Sequence, residues 1–170
     1  MKAITISDIP DSKELQIFLG DFMYEGDFSV RIEYDSIFSN TPKLRFLMES
    51  LLDMYGVDVK DKNRLVLVSD ELNNNAVEHG TGECWNNAME VSVEKRANNK
   101  LFVNIEVTDC GEGSAVYMEN LQQEKEESGF QNHRSIRGRG LFLITEKIVD
   151  NLYFKDAKDG GLTVWVEKTL

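Results

Sequence analysis

Glu71 and Asn75 are the clearest candidates for chemistry, because an acid and a neutral amide lie four residues apart in the segment Glu71–His79. On a helix, Glu71, Asn75 and Glu78 would share one polar face. An amide oxygen suits Mg²⁺ bound to a nucleotide, since phosphates and waters fill most positions around that ion. Glu71, about one turn away, could accept a proton from an attacking hydroxyl or water. A charged stripe is also typical of a solvated helix face, and for Glu71 alone that interpretation stays open.

Asp109 is a second candidate, because it has the parity of the apolar residues of a predicted strand, Leu101, Val103, Ile105 and Val107. A carboxylate that projects toward a covered face is costly to bury without a donor, and the exocyclic amine of adenine would be a suitable one. Gly111 and Gly113 follow and would allow close backbone approach to a ligand. Alternatively, the strand ends at Thr108, and the acid and both glycines belong to an ordinary turn.

A third segment, Gly138-Arg-Gly-Leu141, comes directly before a predicted helix. Free backbone N–H groups and the helix dipole favour phosphate at such a position. The same region holds the densest basic cluster of the chain: His133, Arg134, Arg137 and Arg139. This cluster could be complementary to a triphosphate, or it could pair with the acids of the preceding segment, Glu124, Glu126 and Glu127.

The predicted elements that would position these residues are helices and strands of ordinary length. Alternating apolar residues predict a strand at 28–34, and helical spacing predicts helices from Pro42 to Tyr55 and from Asp61 to His79. We further predict a hairpin of residues 90–95 and 100–109, a helix at 141–150, and strands at 151–155 and 162–168. Residues 114–137 lack periodicity and are predicted to be a lid or a mobile loop. One covered and one wet strand face indicate an antiparallel sheet with helices on a single side.

Composition restricts the function classes. The 170 residues are expected to form a single domain, and a net charge of −11 disfavours a duplex nucleic acid partner. No apolar run reaches the length of a membrane span and no signal peptide is evident, so a cytoplasmic protein without a membrane partner is expected. The cysteines, Cys84 and Cys110, fit neither a disulfide framework nor a metal pattern. No P-loop, no dinucleotide-binding glycine motif and no zinc motif is present.

Taken in this order, the three segments resemble the N, G1 and G2 boxes of the GHKL ATPase superfamily, which includes gyrase, heat-shock chaperone and histidine kinase domains. The details are most similar to bacterial anti-sigma-factor serine/threonine kinases, whose compact N box E-x-x-x-N-A-x-x-H-G is reproduced by Glu71 to Gly80. The closing segment Gly160-Gly-Leu-Thr163 also resembles that family. The resemblance covers residues 28–170 and leaves residues 1–27 as an N-terminal extension, in which a short helix is predicted over 11–22.

The resemblance implies an α+β fold, a two-layer α/β sandwich of the Bergerat type with a mixed, mainly antiparallel sheet and helices on one face. It implies ATP and Mg²⁺ as cofactors, with Glu71 as general base, Asn75 as magnesium ligand and Asp109 as the adenine-reading residue. The remaining implied nucleotide-binding residues are Gly111, Gly113, Arg137, Gly138, Arg139, Gly140, Leu141 and Thr163.

The implied reaction is transfer of the ATP γ-phosphate to a serine or threonine of an anti-anti-sigma (STAS-type) partner, together with regulation of a sigma factor by binding. The alternative is a nucleotide-gated protein-binding switch with weak or no kinase activity. A homodimer is compatible with either function. The chain departs from the family at Ser114, where a bulky apolar residue is common, and in the acidic character of the following segment.

Overall fold

The computed structural model describes residues 1–10, 14–79, 86–128, 147–158 and 160–170. Its strands are β1 (Lys2–Thr5), β2 (Met23–Tyr24), β3 (Asp27–Asp35), β4 (Asn86–Lys95), β5 (Leu101–Thr108), β6 (Asn151–Asp156) and β7 (Leu162–Thr169). They form a seven-stranded sheet in the order β1-β3-β4-β5-β7-β6, with β2 paired to β3. The β1–β3 pair is parallel, and the other described pairs are antiparallel.

Four helices accompany this sheet: α1 (Leu15–Gly20), α2 (Thr41–Met54), α3 (Val59–His79) and α4 (Ala115–Ser128). Along β3, β4 and β5 every second side chain is buried, and these residues join the apolar sides of α2 and α3 in one core. The intervening side chains of the central strands are polar and partly exposed. The predicted α+β fold, with helices on one face of a mainly antiparallel sheet, is confirmed.

The two long helices begin and end where local chemistry requires. Asn40 precedes α2 and Pro42 lies in its first turn, as predicted, and Gly56 beyond its end has a φ of +67° that favours glycine. Helix α3 begins two residues earlier than expected. The Asp58 carboxylate explains this, because it accepts hydrogen bonds from the N–H groups of Lys60 at 2.9 Å and Asp61 at 3.3 Å.

The N-terminal residues pack on the same core as the rest of the chain. Strand β1 extends the sheet through its pairing with β3, for example Lys2 opposite Val30. Leu15 and Leu19 of α1 are buried, and the ring of Phe22 lies 6.3 Å from that of Phe28. The predicted helix over 11–22 is therefore present in a shorter form, and residues 11–13 lie outside the described residues.

Helix α4 occupies a segment that the sequence predicted to be a loop. Its first turn is capped from a distance, since the backbone N–H of Ala115 donates to Oδ1 of Asp156 at 2.7 Å. Ala115, Met118 and Leu121 pack against the core from one side of this helix. The rest of that segment, and most of the helix predicted at 141–150, lie among residues 129–146, outside the description. No helix in the described ranges is long and apolar enough to cross a bilayer.

Candidate functional site

A cavity of about 500 Å³ lies between α3, α4 and the strands β5 and β7. Its walls are mostly apolar, and the contributing side chains include Leu72, Ala76, Val107, Met118, Leu121, Leu162 and Val164. Polar groups enter it at a few places, namely Asn75, His79, Asp109 and Glu112. Such a space, apolar with a few polar groups, is typical of a site for a flat organic ligand.

Asp109 is held in the cavity wall by the backbone around it. Its side chain is 9% exposed, and Oδ1 accepts hydrogen bonds from the N–H groups of Gly111 at 2.8 Å and Leu162 at 3.1 Å. Among the described residues no donor reaches Oδ2. A carboxylate fixed in this way presents a free acceptor to a ligand that offers an N–H group. Strand parity placed Asp109 on this face, and the structure agrees; its role as an adenine reader stays a prediction.

The glycines next to Asp109 allow segments that are distant in sequence to touch. A Cβ atom at Gly111 would lie 2.3 Å from the carbonyl oxygen of His79, and one at Gly161 would lie 2.2 Å from that of Asp109. Gly161 also has a φ of +91°, which disfavours any other residue. Gly113 is close to Leu162, whose Cβ would lie 2.9 Å from an added Cβ. The structure thus brings the first glycine segment against the end of α3, and it brings Gly161 of the closing segment 160–163 against the backbone of Asp109.

Asn75 and Glu71 lie on α3 as predicted, with different relations to the cavity. Asn75 lines it, whereas Glu71, one turn earlier, is half-buried and is not part of the lining. Burial and the neighbouring charge of Asp70 raise the pKa of Glu71 above its ordinary value. Asp70 itself is paired with the Arg45 guanidinium of α2. Asn75 therefore places an amide inside the cavity, and Glu71 provides a partly desolvated carboxylate one turn away.

A buried polar cluster behind the cavity fixes α3 to the sheet. The Tyr34 hydroxyl of β3 donates to Oδ1 of Asn73 at 2.6 Å, and Nδ2 of Asn73 donates to the carbonyl of Ser69 at 2.8 Å. Burial, together with the charge of Asp109, raises the pKa of Tyr34. Asn87 is fully buried beside Tyr34 in the register, and neither polar atom of its side chain has a partner among the described residues. Asn73 and Asn87 are not predictable from the sequence, because buried asparagines carry no periodic signal.

Thr163 lies on the side of β7 that faces away from the cavity. Its hydroxyl is 2.9 Å from that of Thr108 on β5, whereas its neighbours Leu162 and Val164 line the cavity. The alternation of side chains along a strand makes these two placements exclusive. The nucleotide role of Thr163 stays a prediction, and its neighbour Leu162 is the residue that lines the cavity wall.

The remaining predictions concern the second glycine segment and the two cysteines. Residues Arg137, Gly138, Arg139, Gly140 and Leu141 lie outside the described residues, so their nucleotide contacts stay predictions. Cys110 is disulfide-bonded, which corrects the expectation that the cysteines form no disulfide. The chain has one other cysteine, Cys84, which is also outside the description. Cysteine spacing gave no hint of this, because two cysteines 26 positions apart form no recognisable disulfide pattern.

The two-layer fold places an anchored acid at one end of the cavity and an amide on the facing helix, an arrangement that matches an ATPase-type domain. A family model described as a histidine kinase-like ATPase domain matches residues 38–168, and the chain belongs to this family. A search of curated proteins gives no significant match. Membership confirms the resemblance to GHKL-type ATPases and implies that the domain binds ATP.

Proposed function

We propose that this domain is an ATP-dependent serine/threonine protein kinase of the anti-sigma-factor type. It would transfer the γ-phosphate of ATP to a serine or threonine of an anti-anti-sigma (STAS-type) protein and regulate a cytoplasmic sigma factor by binding it. The observation that carries the proposal is that Asp109 and Asn75 line one cavity while Glu71 lies one helical turn from Asn75. The compact N box from Glu71 to Gly80 supports this branch of the family.

The cavity residues fit a bound nucleotide. The apolar side chains of Ala76 and Val164 offer surfaces for a base, and the free oxygen of Asp109 offers an acceptor for its amino group. The described residues hold no cluster of three or more metal-binding acids, histidines or cysteines. A magnesium ion at Asn75 would therefore take most of its ligands from phosphates and water, as such ions commonly do. Magnesium would neutralise phosphate charge, and ATP would supply the phosphoryl group.

Glu71 has the properties of a general base for the receiving hydroxyl. Its raised pKa makes the carboxylate a stronger base than an exposed glutamate. In phosphoryl transfer the protein acts mainly by positioning groups and stabilising charge. The half-buried setting of Glu71 on a long, well-anchored helix is suited to that task.

The experiment is a phosphate-transfer assay with magnesium-ATP and a STAS-domain protein as acceptor. We expect transfer by the unaltered chain, and a loss of at least about 100-fold in rate for Glu71→Gln with ATP affinity retained. Glu119→Gln, a charge-matched change at an exposed position of α4, should transfer at the unaltered rate. Normal ATP binding without any transfer, unchanged by Glu71→Gln, would refute the kinase function.

The alternative function is a nucleotide-gated protein-binding switch, which would remain if the kinase function were refuted. The position of α4 beside the cavity favours it. Tyr117, Met118 and Leu121 of α4 form part of the cavity wall, so a bound nucleotide touches this helix directly. On the same helix Val116 and Tyr117 are 62% and 65% exposed and available to a partner. In the switch, Asn75→Ala should weaken both ATP and partner binding. Loss of ATP binding with every partner interaction unchanged would count against it.

A further inference from the structure

We propose that the sheet face opposite the helices is a docking surface for a protein segment that presents arginine, with Glu106 and Trp165 at the centre of the contact. This outer face is separate from the cavity, and the proposal does not depend on nucleotide chemistry. A basic protein is the partner that the charges and the aromatic residues of this face fit best.

One row of side chains crosses the outer face from β3 to β6. The strand register places Arg31 opposite Glu90, Glu90 opposite Glu106, Glu106 opposite Trp165, and Trp165 opposite Tyr153. Directly opposite residues on adjacent strands are near enough to interact. The row therefore has an ion pair at one end, an aromatic pair at the other and Glu106 between them.

Glu106 is the acid of this row to which the described part of the chain offers no partner. Arg31 is engaged with Glu90 and also reaches Glu33 at 3.4 Å, whereas no described residue forms a hydrogen bond or ion pair with Glu106. Burial and the charge of Glu90 raise the pKa of Glu106, although Lys155 and Arg31 oppose that rise. A half-buried carboxylate without a donor gains more from an incoming cation than an exposed one does.

The aromatic pair beside Glu106 offers a flat surface to a planar cation. The rings of Tyr153 and Trp165 stack at a centroid distance of 4.8 Å, and Tyr153 is 38% exposed. Guanidinium groups stack on aromatic rings and can also bond a carboxylate through two N–H groups. The chain shows this preference internally, since the Arg96 guanidinium lies 3.6 Å from the centre of the Phe102 ring on the same face.

The shape of the guanidinium group favours arginine over lysine beside Glu106 and Trp165. Arginine carries five donors in a fixed plane, whereas lysine carries a compact charge. The net charge of −11 would attract a basic partner from a distance and repel nucleic acid.

The test uses two blocked pentapeptides, Gly-Arg-Gly-Arg-Gly and its lysine counterpart, titrated against the full chain. Fluorescence of Trp165 reports binding in a Trp85→Phe background, which removes the other tryptophan. We expect saturable binding of the arginine peptide, at least about fivefold tighter than the lysine peptide because of stacking. Glu106→Gln should weaken the arginine peptide about tenfold, as loss of a charge-assisted hydrogen bond predicts.

The matched control is Glu94→Gln, which removes an equal charge from an exposed acid of the same face that pairs with Arg96 at 3.6 Å. It should leave peptide affinity within about twofold, since an exposed pair contributes little. Tyr153→Leu, at a more exposed position than Glu106, provides a second variant and should reduce the preference for arginine. The proposal is overturned if the unaltered chain binds neither peptide, if it binds both equally, or if Glu94→Gln and Glu106→Gln weaken binding alike.

Discussion

The hydroxyl of Tyr34 donates a 2.6 Å hydrogen bond to Oδ1 of Asn73, and this bond joins the C-terminal end of β3 to the C-terminal half of α3. Both residues are buried, at 3% and 1% exposure. Asn75, which lines the cavity, lies two residues further along the same helix. The bond therefore helps to set how far α3 stands from the sheet and hence the width of the cavity.

Tyr34→Phe tests this relationship. The substitution keeps the ring but leaves the amide oxygen of Asn73 without a donor in a solvent-free place. We expect the free energy of unfolding to fall by about 1–3 kcal/mol, the usual cost of an unsatisfied buried group. Urea denaturation measures it, with the exposed Tyr24→Phe as control. Equal stability of the two variants would show that the bond is not significant.

Asp109→Asn tests the role of the anchored carboxylate. The amide oxygen can still accept the hydrogen bonds from Gly111 and Leu162, so the free energy of unfolding should change by less than about 1 kcal/mol. The amide nitrogen would then replace the free carboxylate oxygen and oppose the amino group of adenine, so ATP affinity should fall at least about tenfold. Calorimetric titration measures this, and Asp35→Asn, at the exposed C-terminal end of β3, is the control. Unchanged affinity would remove Asp109 from the site.

Gly161→Ala and Gly160→Ala form a matched pair. Both glycines have positive φ, +91° and +89°, so alanine is strained at either. An added Cβ at Gly161 would also lie 2.2 Å from the carbonyl oxygen of Asp109. An added Cβ at Gly160 would have no atom of the described residues within 4 Å. We expect Gly160→Ala to cost about 1 kcal/mol of unfolding free energy. Gly161→Ala should cost more and weaken ATP binding, because the Asp109 backbone must move. Equal losses would mean that the close approach relaxes freely.

The raised pKa of Glu71 predicts a pH-dependent stability. The folded state disfavours the ionised form of Glu71. The free energy of unfolding therefore falls as the pH rises above 4.5, the ordinary pKa of a glutamate, and this loss is absent when the group is protonated in both states. Glu71→Gln should therefore raise Tm at pH 7 and lose that advantage as pH falls toward 4. Thermal unfolding at several pH values measures this, with Glu49→Gln as control. A gain of the same size at every pH would argue against a titrating Glu71.

The sequence predicted those helices and strands whose apolar residues repeat at regular spacing. The apolar spacing of α2 and α3 and the alternation of β5 are repeated over many residues, so they placed Glu71, Asn75 and Asp109 correctly on their faces. Helix α4 was missed because its cap, Asp156, comes from a strand far along the chain. The contacts of Gly161 with the Asp109 backbone were invisible for the same reason. Thr163 was assigned by motif; its hydroxyl lies 2.9 Å from that of Thr108, and its nucleotide role stays a prediction.

The Asp156 cap has a thermodynamic consequence for the whole domain. It joins the end of β6, the edge strand that carries Tyr153, to the first turn of α4, the helix that covers the cavity. A ligand on either side that shifts β6 relative to α4 changes the affinity of the other ligand, and linkage makes the two changes equal. We therefore expect the Asp156 carboxylate to couple ligand binding on the two faces of the sheet, and Asp156→Ala should reduce that coupling.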